Sequence, residues 1–140
     1  DRLLSNHPEA HILQTRPWGE LKAAFGWKPV HVCSPSGPGT SIIAALVLFR
    51  RLPFGLSIGY VAKGPVGVAV GDVPQSFWSD FCSELDLICR RERAVFLRVE
   101  PDAWEPAASA IESEPGRLGA APPGFVAGAH SIQPRQTLVV

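Results

Sequence analysis

The run Ile42 to Phe49 constrains this chain more than any other segment, because it is apolar without alternation. A strand with one face in water would alternate apolar and polar residues, so this run predicts a central strand covered on both faces. It stops at Arg50 and Arg51, far short of the roughly 20 apolar residues of a membrane span. No signal peptide is read either. Val30 to Cys33, the Ser-, Pro- and Gly-rich turn Ser34 to Gly39, and Ser41 to Arg51 together predict a β-hairpin. Pro53 and Gly55 break the chain before a third strand, Leu56 to Val61.

Two helices are expected around these strands. Thr15 as a cap, Pro17 in the first turn and Gly26 as a stop predict a helix over 16–25. Trp18, Leu21, Lys22 and Phe25 recur at helical spacing, which puts the Lys22 amine at the edge of an apolar face; a solvated lysine whose stem covers Phe25 is the reading that needs no ligand. Asp72 and Gln75 stand as a capping box, and Phe77, Phe81, Leu85 and Ile88 then repeat with the period of an amphipathic helix over 74–93. Arg90, Arg91 and Arg93 complement its dipole in the last turn, and solvation and capping account for them without a ligand. Val95 to Val99 follow as a strand. A short helix, Trp104 to Glu112, is expected within the Pro-, Gly- and Ala-rich stretch 101–128. The order mixes antiparallel pairing with crossovers, so the fold class is α/β (α+β), a mixed, largely antiparallel sheet with flanking helices. One domain with neither an internal repeat nor a dividing linker is expected from 140 residues, of which 46% are hydrophobic.

Thirteen basic residues balance thirteen acidic ones, so no net field would hold the chain on nucleic acid or an anionic membrane; a charged partner must be met locally. Cys33, Cys82 and Cys89 are odd in number and lack zinc spacing, which points to reduced thiols. Cys82 and Cys89 flank the apolar face of the long helix, where small buried residues are expected rather than nucleophiles. His7, His11, His31 and His130 are scattered with no metal-site spacing, and no serine sits in a nucleophile elbow. The chain opens without methionine and closes on Thr137, Leu138, Val139 and Val140, a strand cut mid-course, so it is expected to be a fragment.

Several segments, in order, resemble the Fem family of bacterial aminoacyltransferases. Gln14, Thr15, Trp18, Leu21, Lys22, Gly26 and Trp27 are similar to its opening helix. Tyr60 followed by Lys63, Gly64, Pro65 and Val66 resembles its Gly-Pro-Val loop after a basic residue. Phe96 to Pro101 resembles its apolar strand ending in Arg, a carboxylate neighbour and Pro. Gly124 and Phe125, then Ile132, Gln133, Pro134 and Thr137, resemble its closing Gly-Phe and Ile-Gln-Pro strand. The resemblance spans about residue 12 to the end and implies a GNAT-like domain, the first of two in the complete transferase.

What the resemblance implies chemically is transfer of an aminoacyl group from charged tRNA to an amine of a muramyl-pentapeptide precursor, UDP-linked or lipid-linked. Aminoacyl-tRNA is then the co-substrate, met through a second half, and no cofactor or metal is implied. The ester is already activated, so orientation and oxyanion stabilisation carry the rate. Lys22 matches the lysine that the family places against the precursor diphosphate, a task suited to a mobile point charge, and Trp18 and Tyr60 accompany it as candidate substrate-binding residues. Lys63, Gly64 and Pro65 suit either an ordinary turn or a rigid one that presents backbone and one cation at the cleft, and Arg135 is a further candidate, with surface charge as its alternative. Asp102 and Glu105 are the carboxylates available as general base. The family's proposed aspartate falls further on, where this chain has Ala107, Ala108, Ser109 and Ala110, so the acid-base residue stays open with Asp102 as candidate. Cytoplasmic residence is expected, peripheral at the inner membrane face if the acceptor is lipid-linked.

Two other classes remain. A GNAT-type acyl-CoA acetyltransferase needs a glycine-rich pyrophosphate cradle at a helix start, and Arg117, Leu118, Gly119 and Ala120 have the wrong spacing for it. A non-catalytic module that binds precursor or supports a partner domain is the third.

Overall fold

The computed structural model describes residues 10–34, 43–67, 75–102, 124–126, 128 and 132. The chain divides into two compact units, Asp1–Asp102 and Ala103–Val140. In the second, the described residues include a turn at Gly124 and exposed Val126 and Ile132. The expected short helix 104–112, the closing strand, Asp72, Glu105, Arg135, His7 and His130 lie outside the described residues.

The first unit is a four-stranded sheet in the order β1 (Trp27–Cys33), β2 (Ala44–Arg51), β3 (Ser57–Ala62) and β4 (Ala94–Glu100). The first three strands are antiparallel neighbours, and β4 joins β3 in parallel, so the sheet is mixed and largely antiparallel. The parallel step follows from helix α2 (Gln75–Arg91) between them, since a parallel pair needs a crossover. The apolar run became the inner strand β2, with Ala45 to Phe49 all buried.

Helix α1 (Arg16–Ala24) ends one residue short of the expected span, and Gly26 takes a positive φ of 81° just beyond it, as a stop glycine does. Thr15 holds the cap position, but its side chain makes no capping bond. Its hydroxyl instead donates to the Ile12 carbonyl at 2.7 Å, closing a 3-10 turn over Ile12–Gln14.

The two helices cover opposite faces of the sheet. A Cβ on Gly19 of α1 would lie 3.1 Å from Pro29 and 3.5 Å from Leu46, so α1 rests on the face that carries Pro29 and Leu46. Lys28 points the other way by the strand pleat, and its ammonium meets Glu92 at 2.5 Å just after α2. Phe81 and Leu85 of α2 are buried, as their helical period requires, and the Trp78 and Phe81 rings pack 5.8 Å apart. No described helix is long and apolar enough to cross a membrane, which says nothing of strands.

Candidate functional site at the ends of β3 and β4

In open parallel α/β sheets ligands gather beyond the carboxyl ends of the strands, and here that end of the parallel pair β3 and β4 carries the polar side chains. At that end β2 and β3 part company. Leu48 pairs with Tyr60 and Ala44 pairs with Val66, so β2 advances four residues while the other strand advances six. The two surplus residues form a bulge around Lys63, Gly64 and Pro65.

Gln14 fills the gap that the bulge opens. Continued pairing would set Leu46 opposite Ala62, but the Gln14 carboxamide lies between them. Its Oε1 accepts from the Leu46 amide at 2.8 Å and its Nε2 donates to the Ala62 carbonyl. The side chain stands in for a peptide group and satisfies two backbone groups that the splayed strands would otherwise bury unpaired. Gln14 is itself only 2% exposed. The bulge is held from the other side as well, by the Gly64 amide donating to the Glu100 carbonyl at 3.3 Å.

The bulge presents Lys63. Its backbone is left-handed, with φ at 52°, an uncommon state for a non-glycine residue, and a cis Gly64–Pro65 peptide follows. The Lys63 ammonium lies 3.3 Å from Oδ1 of Asp102, with the two side chains 20% and 19% exposed. A cation from the β3 end and a carboxylate from the β4 end are thus joined, although 39 positions separate them in sequence.

Two residues before Asp102 lies a buried carboxylate. Glu100 accepts from the Tyr60 hydroxyl at 2.8 Å on Oε2 and from Arg98 Nε at 3.0 Å on Oε1. Tyr60 pairs with Arg98 and Ala62 with Glu100 across the parallel ladder, so these side chains share the face that carries Leu46 and Leu48 and that α1 covers. Tyr60 is oriented by that network. Arg98 and Glu100 entered the sequence reading only as part of the motif Phe96 to Pro101, with no role at the site. Gln14 was noted only as part of the opening motif.

Lys22 and Trp18 form a separate group on α1. The Lys22 ammonium sits 4.9 Å from the centre of the Trp18 ring, a cation–π contact one helical turn back. Phe25, three residues on, is 69% exposed. The Trp18 indole N–H is buried without a hydrogen-bond partner among the described residues. Gln14, four residues before Trp18, is the link in the chain between this group and the bulge.

Other reactive side chains sit apart from this arrangement. Burial pushes the Cys82 and Cys89 thiols up, away from the thiolate that nucleophilic chemistry needs. His11 Nδ1 accepts from the Leu13 amide at 3.2 Å, a local capping role. Among the described residues no group of three or more His, Cys, Asp or Glu converges as metal ligands would.

Comparison with known proteins follows the same outline. A family model described as the FemAB family matches residues 1–115. Among solved structures, the crystal structure of FemX aligns with a TM-score of 0.56 at 21% identity, covering 66% of this chain and 22% of that one. At that identity the likeness speaks for the fold alone, and the mixed sheet with helices on both faces fits the GNAT-like arrangement. The chain therefore spans about a fifth of the length of that structure. No curated protein sequence matches the chain.

Proposed function

The chain belongs to the FemAB family, whose members are peptidoglycan bridge-forming transferases, and on that premise we propose that the complete protein transfers an aminoacyl group from charged tRNA to the stem peptide of a muramyl-pentapeptide precursor. This chain supplies residues of the precursor side of the cleft. The observation that carries the reading is the strand-end bulge, where Gln14, Gly64 and the β4 end hold Lys63 against Asp102.

In that reaction the amine nitrogen attacks the ester carbonyl, a C–N bond replaces the ester C–O bond, and the terminal ribose hydroxyl of the tRNA leaves with a proton. The acceptor must first shed a proton from its ammonium. Asp102 is the described carboxylate at the strand ends suited to take it, and Lys63 orients that carboxylate by pairing with one oxygen. Lys22 meets the precursor diphosphate as a point charge, its ammonium held beside the Trp18 ring. Tyr60, anchored on Glu100, lines the same face, and Arg135 is a further candidate for the precursor.

Titration of the complete protein with UDP-muramyl-pentapeptide tests this division of labour. Lys22→Ala weakens binding about tenfold, the effect of losing one charge-assisted contact, whereas Lys63→Ala, which releases Asp102, lowers the transfer rate more than the affinity. Arg16→Ala, which removes only an exposed ion pair to Glu20, leaves affinity unchanged. Full affinity in the Lys22→Ala variant would refute the assignment.

A further inference from the structure

The opposite end of the sheet carries a feature that the transfer reading does not use. The turn Leu52–Leu56 between β2 and β3 projects Phe54, which is 92% exposed, beside Leu52 at 37% and an exposed Pro53. Phe54 holds a left-handed backbone, φ 63° and ψ 19°, a conformation that an aromatic residue adopts at a cost. The chain thus accepts strain to display an aromatic ring to solvent.

Cations ring that turn. Arg50 and Arg51 end β2, Arg90 and Arg91 end α2, and Arg93 turns the chain into β4, all of them exposed. A Cβ on Gly55 would lie 3.2 Å from the Arg93 guanidinium, so the α2–β4 turn touches the Phe54 turn directly. Arg90 is paired with Asp86 at 2.7 Å. Arg50 stacks 5.6 Å from the Trp27 ring, and Arg50, Arg51, Arg91 and Arg93 have no acidic partner among the described residues. Glu92, the acid within this stretch, is turned inward to Lys28. The mount is rigid, because Ser57 at the start of β3 donates from its hydroxyl to the Glu92 carbonyl at 2.7 Å and from its amide to the Arg93 carbonyl at 3.0 Å.

We propose that this end of the molecule docks on an anionic lipid surface, with Phe54 and Leu52 entering the headgroup boundary and the arginines pairing with lipid phosphates. A protruding apolar tip collared by cations is the chemistry of interfacial lipid binding, in which apolar burial and attraction to anionic headgroups add. A nucleic acid strand would instead be tracked by a basic groove with stacking platforms, whereas this tip is a convex turn whose apolar neighbours are Leu and Pro. The net charge of zero conceals the patch, since the balancing acids sit elsewhere or are already paired. The proposal goes beyond the transfer reading and stands without it.

Vesicle sedimentation with the complete protein tests it, using phosphatidylcholine alone against an equal mixture of phosphatidylcholine and phosphatidylglycerol. The protein sediments with the anionic vesicles and is released by salt. Phe54→Asn, which suits the left-handed backbone and so keeps the fold, weakens partitioning about tenfold. Arg51→Glu combined with Arg91→Glu weakens it by at least tenfold, roughly the yield of two surface charges. In Phe54→Trp, the fluorescence gained over the native protein shifts to the blue on anionic vesicles and is quenched by lipids brominated in the tail. Absence of binding to anionic vesicles, or binding indifferent to Phe54→Asn, would overturn the proposal. It would equally fail if the tip variants lost affinity for tRNA while keeping their affinity for vesicles.

Discussion

Gly64→Ala collapses the strand-end bulge. A Cβ at position 64 would lie 2.7 to 2.8 Å from three atoms of the Gln14 carboxamide, inside any real contact distance. That carboxamide is the far end of a flexible side chain, but bonds to Leu46 and Ala62 hold it at both ends. Relief requires either breaking those bonds in a buried site or moving β3. Overpacking together with a lost buried hydrogen bond amounts to about 3 kcal/mol, which accelerates amide exchange at Leu46 on the order of a hundredfold. In a Gln14→Ala background the obstruction is gone, so adding Gly64→Ala costs less than about 1 kcal/mol more. Equal costs of Gly64→Ala in both backgrounds would mean that Gln14 does not hold the bulge.

Glu100→Ala has the other large effect. The carboxylate is largely buried and each oxygen carries a donor, Tyr60 on one and Arg98 on the other. Truncation leaves a phenol and a guanidinium facing a cavity. A fully buried pair broken in this way costs about 3–5 kcal/mol, and the partial exposure of Arg98 lowers the expectation to about 2–3 kcal/mol. Amide exchange at Tyr60 and Arg98 reads the loss. Glu100→Gln keeps an acceptor for one donor and recovers about half of it. A Glu100→Ala protein with unchanged exchange at these residues would show that the network contributes nothing to the strand ends.

The parts of this fold legible in the sequence are those dictated by local pattern. An apolar run without alternation had to be an inner strand, and the spacing of Phe81 and Leu85 had to be one face of a helix. The long helix between β3 and β4 made their parallel pairing a consequence of chain connectivity. What stayed hidden depends on long-range register. Nothing near Lys63 announces a bulge, because the residue that props it open, Gln14, lies 48 positions before Ala62, the carbonyl it binds. Glu100 and Arg98 stood in a strand motif with no partner in view, and only the ladder sets them beside Tyr60. The arginine collar was equally invisible, because Arg50 and Arg93 are far apart in sequence and their helix-end and strand-end positions each had a local explanation. Helix geometry directs long side chains toward the preceding turn, where Trp18 offers Lys22 a ring.

The measurement closest to the central claim is mass spectrometry of muramyl-pentapeptide precursors incubated with the complete protein and charged tRNA, with acetyl-CoA as the competing donor. A tRNA-dependent mass gain of one amino acid, reduced in Lys63→Ala, is the predicted result. An acetyl gain from acetyl-CoA, or no gain from charged tRNA with an active, folded protein, would contradict the assignment.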